Sequence, residues 1–423
     1  MTITQDRTAP AAAAPAPAPA RPGAARTALT LGAFVALGPL TIDMYLPALP
    51  SITDDLLTTS ATVQLTLTGT LVGLALGQLV IGPLSDAWGR RRPLIAGTAL
   101  HVLASLLVLV APTIAVLGGL RFLQGVGAAA GSVIALAVVR DLYDGRAAAT
   151  MLSRLFLVLG AAPVLAPTLG GELLRFTSWR GVFAALAAYG LVMVVVGWLT
   201  LRETLPPERR SSNGVRGTLR IYRGLLHDRV YVGLVLVAGL TMAGLFSYVS
   251  GSSFVYQEEF GLDEQQFGLL FGAGAFWLIA ATQLNPLLLR RWSPQRLLVA
   301  GTVLGALAGA ALVGLAGTGT GGLPAVTGAL WVVLFACGLA LPNAPALALS
   351  RHGEAAGSAA ALLGAVQFGV GAVVSPVVGL LGNDSTAVGL VVVAALALAL
   401  VVLGTVVRPW QLPTGDGAAA AAR

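Results

Sequence analysis

Residues 297–350 read LLVAGTVLGALAGAALVGLAGTGTGGLPAVTGALWVVLFACGLALPNAPALALS, so 54 consecutive residues between Arg296 and Arg351 carry no charge. A bilayer core about 30 Å thick is crossed by roughly 20 residues of α-helix. The run is therefore two spans, and the glycine-rich stretch Gly314–Pro324 marks the turn between them. The 23 uncharged residues between Asp384 and Arg408 make one more span by the same reasoning. These segments have neither the alternation of barrel strands nor the polar face of a soluble helix. They predict a helical membrane protein.

The rest of the chain agrees. Of its 423 residues 56% are hydrophobic and only 10% charged, and the mean hydropathy is +0.85. Soluble domains carry about 25% charged residues. Runs of spanning length recur near 28–50, 62–84, 93–112, 114–139, 150–172, 178–201, 229–253, 265–289, 295–316, 324–350, 356–381 and 385–407. Residues 1–27, rich in Ala and Pro, read as a disordered cytoplasmic tail. The longest polar interruption, 202–228, divides the spans six and six and reads as a cytoplasmic linker between an N-terminal half at 28–201 and a C-terminal half at 229–407, with a second tail at 408–423. Two equal helical halves suit a transporter built from repeats.

The net charge of +7 and a pI near 10.3 reflect orientation signals, not nucleic-acid binding, because the arginines fall in short clusters between apolar runs. With both termini inside, 22 of the 25 arginines lie in cytoplasmic segments, whereas Asp54, Asp55, Glu258, Glu259, Asp263 and Glu264 lie outside. The chain has no Lys, which excludes a Walker phosphate loop and a Schiff-base lysine. Its single cysteine, Cys337, excludes an internal disulfide, and His101, His227 and His352 match no metal-ligand spacing. No metal or cofactor is expected, and no enzyme activity.

Two charges interrupt the spans. Asp43, in Thr41-Ile42-Asp43-Met44-Tyr45-Leu46-Pro47, is either an intramembrane acid or, if Pro47 and Pro50 end the span early, a residue at the outer surface. An intramembrane carboxylate costs several kcal/mol when ionised and is functional by default. Arg121 lies in the fourth span. Counted along each helix, both residues sit about 8–10 Å below the outer boundary, so Arg121 is the expected partner of Asp43.

Gly77-Gln78-Leu79-Val80-Ile81-Gly82-Pro83-Leu84-Ser85-Asp86-Ala87-Trp88-Gly89-Arg90-Arg91-Arg92 closes the second span. It resembles the signature between the second and third spans of the major facilitator superfamily. Arg121-Phe122-Leu123-Gln124-Gly125-Val126-Gly127 continues the likeness. Gly160-Ala161-Ala162-Pro163-Val164-Leu165-Ala166-Pro167-Thr168-Leu169-Gly170-Gly171 is similar to the antiporter motif of twelve-span drug:proton antiporters, although Ala166 stands where that pattern has Gly. Asp43-Met44-Tyr45-Leu46-Pro47 most resembles the Bcr/CflA multidrug-resistance branch.

The resemblance implies an all-α fold of twelve helices in two six-helix halves, in a bacterial inner membrane, exporting amphipathic small molecules in exchange for protons. Asp43 and Arg121 would couple to the proton. Gly82, Asp86, Gly89, Arg90 and Asp141 would form a conformational latch, with Arg90 bridging Asp86 and Asp141 and Asp86 facing the start of the eleventh span. Gly160, Pro163, Pro167, Gly170 and Gly171 would shape the fifth span, while Tyr45, Gln124 and Phe246 are candidates for the substrate cavity. The expected partners are a small-molecule substrate, protons and lipid, with a monomeric chain and no nucleic acid. The alternative on the same fold is an exporter of a metabolite such as a sugar or amino acid, or an uncoupled facilitator.

Small residues at four-residue spacing, Gly69, Gly73 and Gly77 in the second span and Gly268 and Gly272 in the eighth, predict close helix contacts. Gly82 is expected to admit a neighbouring backbone.

Overall fold

The computed structural model describes residues 23–210, 214–352 and 355–412; most of the expected tails, 1–22 and 413–423, lies outside the described residues, and the first helix begins inside the expected tail, at Ala24. Those residues contain twelve helices long and apolar enough to cross a membrane, and no strand. The spans are Ala25–Asp55, Ser60–Trp88, Arg91–Val108, Ile114–Leu142, Thr150–Leu174, Trp179–Thr200, Arg229–Glu259, Glu264–Leu288, Pro294–Thr318, Gly322–Leu349, Gly357–Leu380 and Ser385–Gln411. Helices are the form in which this backbone can satisfy itself in lipid without a closed barrel.

Polar residues hold many of the ends. Thr59, Thr113, Asp228, Asp263, Ser293 and Asp384 each accept a backbone N–H from the first turn of the helix that follows.

The structure departs from the simplest helical reading at three places. The first span runs past Pro47 and Pro50 as a tight turn of helix, Leu46–Ala48, and a short helix, Leu49–Asp55. Each proline occupies a first-turn position, where its missing N–H breaks no bond within that helix. The tenth span is interrupted at Leu341-Pro342. The linker contains a helix, Gly214–Leu225, that contacts the second and eleventh spans.

Glycines set the closest helix contacts. A Cβ at Gly69 would stand 2.7 Å from the Gly118 carbonyl oxygen, and one at Gly73 would collide with the Phe122 carbonyl, so the second and fourth spans touch backbone to backbone. Gly268 and Gly272 meet the fifth span in the same way, at the Pro167 and Val164 carbonyls. In lipid such van der Waals contact is a main source of helix association. Gly82 corrects an expectation: a Cβ there would meet only the Val133 side chain at 3.9 Å, an ordinary contact. The backbone approach occurs one to three turns earlier in that helix.

The halves meet where the second span packs on the eleventh and the fifth on the eighth. Toward the face where the first span ends at Asp55 they are tied by neutral hydrogen bonds. Ser253 donates to the Leu46 carbonyl at 2.7 Å, Gln257 to Pro47 at 3.2 Å, and Gln265 to Gly171 at 2.9 Å. Thr68 donates to Ala372 at 3.0 Å and Gln64 to Ser250 at 3.0 Å, while the Gln64 amide also bonds Asn383.

Candidate functional site at the break in the first span

The helix that begins the chain's first crossing ends at Asp43, and the backbone turns through Met44 and Tyr45 before the next helical turn. Pro47 has no N–H to return to the Asp43 carbonyl, four residues back. The last carbonyls of a helix need partners from elsewhere, and Arg121 supplies one.

Arg121 is completely buried. Its Nη2 donates to the Thr41 carbonyl at 2.8 Å and its Nη1 to Gln124 Oε1 at 2.9 Å. The guanidinium carbon lies 4.0 Å from the centre of the Tyr45 ring and 5.5 Å from that of Phe183. A cation over aromatic faces and at the carboxyl end of a helix is favourably placed on both counts.

The network continues through neutral groups. Gln124 Nε2 donates to Ser105 Oγ at 2.7 Å, and that hydroxyl donates to the His101 carbonyl at 2.7 Å. The Thr41 hydroxyl gives its proton to the Leu37 carbonyl at 2.6 Å and stands 2.8 Å from His101 Nε2, which therefore carries the hydrogen of that second bond. Tyr45 reaches Thr66 at 3.4 Å.

Asp43 is 4% exposed, and among the described residues it has neither a hydrogen bond nor an ion pair. The structure does not join it to Arg121. At 3.6 residues per turn, Thr41 and Asp43 point about 200° apart around the helix. Arg121 reaches the right depth and meets the wrong side. Asp43 instead lies within electrostatic reach of Tyr248 on the seventh span. The surface depressions of about 430 Å³ beside Leu287–Trp292 and about 280 Å³ beside Asp55 and Glu264 open at the two ends of the bundle, away from Asp43.

The cavity candidates are already engaged. Tyr45 and Gln124 are fully buried against Arg121, and Phe246 packs on Phe368 with ring centres 6.1 Å apart. In the fifth span the helix continues through Pro163 and Pro167. A Cβ at Gly170 would collide with the Met44 carbonyl, just past Asp43, and one at Gly171 would stand 2.6 Å from the Glu264 carbonyl. Gly160 makes only ordinary contact with Ile279.

At the face where the first described helix begins, Arg90 joins the second and fourth spans. Its Nε donates to Asp141 at 2.8 Å, its Nη1 to Ser85 at 2.9 Å, and the same nitrogen is paired with Asp86. Thr204 also donates to Asp141 at 3.0 Å. Asp86 is half-exposed and its bonding is to Arg90; Arg140 is the side chain that reaches Gly357, at the start of the eleventh span.

Glu203 completes this cluster and was not singled out by the sequence. Its carboxylate accepts the N–H groups of Arg90 at 2.7 Å, Arg91 at 3.3 Å and Leu205 at 3.0 Å. Burial works against its charge, but these N–H donors and Arg210 outweigh it and hold the carboxyl below its ordinary value. Gly89 is required here, since its φ is +88° and a side chain would strike Glu203. The signal in the sequence was an acid just past the sixth span, beside arginines; nothing in its spacing showed that it caps the third. His101 was likewise set aside for lacking metal spacing, and its bond to Thr41 depends on tertiary packing alone.

Comparisons with known proteins agree with this architecture. A family model described as Major Facilitator Superfamily matches residues 29–376. An uncharacterized MFS-type transporter, YdgK, of Bacillus subtilis is 38% identical over 363 residues, 85% of this chain and 90% of that protein. A bicyclomycin resistance protein homolog of Haemophilus influenzae is 31% identical over 362 residues, 85% and 90% of the two chains. The crystal structure of a bacterial homolog to the human lysosomal transporter Spinster, inward-facing and occupied, superposes with a TM-score of 0.72 at 15% identity, covering 93% of this chain and 98% of that one.

Proposed function

This chain belongs to the major facilitator superfamily, and from that premise we propose that it is a proton-coupled exporter of amphipathic small molecules, with Asp43 as the proton-carrying acid. As a member of the family it is a multi-pass membrane transporter and not an enzyme. The finer reading places it in a bacterial inner membrane with both termini in the cytoplasm, the linker at 202–228 joining halves at 28–201 and 229–407, and the Arg90 cluster as a latch that closes and opens in the alternating-access cycle.

One observation carries the coupling. Asp43 is a buried acid close to where the halves meet, and among the described residues no cation is paired with it. Ionising such a group inside the membrane costs several kcal/mol unless water or a cation reaches it. The cost falls when water or a cationic drug reaches the carboxylate, so proton release and access to one face become linked events. Arg121 supports this arrangement from the opposite side of the helix, by holding its end in place. The name of the Haemophilus influenzae relative favours drugs over metabolites as cargo.

The experiment expresses the protein in a host lacking its own efflux pumps and measures resistance to a panel containing bicyclomycin and lipophilic cations. Raised resistance that disappears with Asp43→Asn supports the reading. In inside-out vesicles, uptake driven by a pH gradient and unchanged by Asp43→Asn would remove the coupling.

A further inference from the structure

We propose that His101 is a positioning residue for Asp43, acting with Arg121 through Thr41 to fix the end of the first-span helix. The inference rests on the reading of Asp43 as the proton carrier.

Thr41 is held from three directions. Its hydroxyl donates to Leu37 within the helix and accepts from His101 Nε2 at 2.8 Å, and its carbonyl accepts from Arg121 at 2.8 Å. Asp43 follows two residues later, after which the helix stops. With no bond of its own among the described residues, the Asp43 side chain is oriented by where the helix end is held. Thr41 is the point of attachment on the side before it, as Tyr45 and Leu46 are on the side after.

The third span packs closely on its neighbours at His101. A Cβ at Gly127 would stand 2.8 Å from His101 N and 2.9 Å from its Cβ, and one at Gly190 would stand 3.4 Å from Nδ1. His101 is fully buried, and its Nδ1 has no partner among the described residues. A residue serving only to fill this space would be apolar, because an unsatisfied buried nitrogen is unfavourable. Among the described residues the one polar contact of the ring is that to Thr41.

The titratable or charged side chains that reach this helix end are few among the described residues. They are Arg121 from the fourth span, His101 from the third, Tyr248 from the seventh and Tyr45 from the segment itself. The fifth span offers Gly170, against the Met44 carbonyl.

The test uses the full chain in lipid nanodiscs and follows the protonated-carboxyl infrared band against pH, with Asp43→Asn identifying the band of Asp43. His101→Ala and the isosteric Thr41→Val are each expected to displace its midpoint by about one pH unit, in the same direction. The double variant should go no further than either alone, since both remove one bond. His101→Gln and Thr41→Ser, which keep a donor and an acceptor in place, should restore the wild-type midpoint. A folded His101→Ala and a folded Thr41→Val that both titrate as wild type overturn the inference while leaving Asp43 as carrier. A spectrum in which Asp43→Asn removes no titrating band ends the carrier reading, and the inference with it.

Discussion

The first half buries a guanidinium and a carboxylate among its helices; the second half, between the ends of its spans, buries amides and hydroxyls. In the first half Arg121, Gln124, Ser105, His101 and Thr41 form one connected network, and Asp43 stands beside it with no bond. In the second the comparable pair is Asn343 and Asn285, bonded at 2.8 Å at the interruption of the tenth span. A neutral pair changes little when a proton or water arrives. A charged group in a dry site changes its energy by several kcal/mol. If Asp43 carries the proton as proposed, the contrast places that sensitivity in one half and leaves the other to supply shape.

The largest expected effect breaks that contrast directly. Asp43→Asn should remove pH-gradient-driven export altogether in vesicles while the protein folds and binds some neutral ligands. Next, Arg121→Ala should lower stability by about 3 kcal/mol, read as a lower unfolding temperature in detergent, because it leaves the Thr41 carbonyl and Gln124 Oε1 without their donor in a dry site. Arg121→Lys should recover only part of this, since an ammonium lacks the planar fork that serves both acceptors.

The two clusters on the face where the first described helix begins sharpen the comparison. The Arg90 side chain is 8% exposed and ties Asp86, Asp141 and Ser85 together. Arg351 is 35% exposed and bonds Asp228 at 2.9 Å. Arg90→Ala is expected to cost about 2 kcal/mol and Arg351→Ala under about 1 kcal/mol by the same unfolding measurement.

Acid should weaken both clusters. Burial opposes the charge of Glu203, but its N–H donors hold its folded value below the unfolded one. Its stabilisation is therefore complete above the unfolded value and is lost as pH falls through the depressed folded value. Unfolding temperatures scanned downward from neutral pH should fall in the wild type, and Glu203→Gln should flatten that descent. Asp228 contributes in the same sense, since Arg351 and the N–H groups of Tyr231 and Val230 overcome the effect of its burial. The smallest effect is expected from the double substitution Asn285→Leu with Asn343→Leu. Removing both partners of a neutral buried bond should be nearly neutral for stability and leave the pH dependence of transport unchanged.

Much of the molecule was legible because lipid permits so few solutions. Uncharged runs of fixed length become helices, and small residues four apart become contacts, as Gly268 and Gly272 did against the fifth span. Gly82 misled because a small residue allows an approach without causing one. The depth of Arg121 relative to Asp43 followed from a rise of 1.5 Å per residue, and Arg121 does reach the first span at that level, at Thr41.

Composition, charge order and span length, all local properties of the chain, determined a twelve-helix membrane protein with an acid in or at the outer end of its first crossing; that the acid is buried came from the tertiary structure. Only tertiary structure decided which side of that helix faces the cation, that His101 reaches Thr41, and that Glu203 caps the third span from 112 residues away. Hydropathy fixes a residue's depth in the membrane. The angle at which a side chain leaves its helix acquires a partner only when the neighbouring helices have packed, and the chemistry of Asp43 depends on that angle.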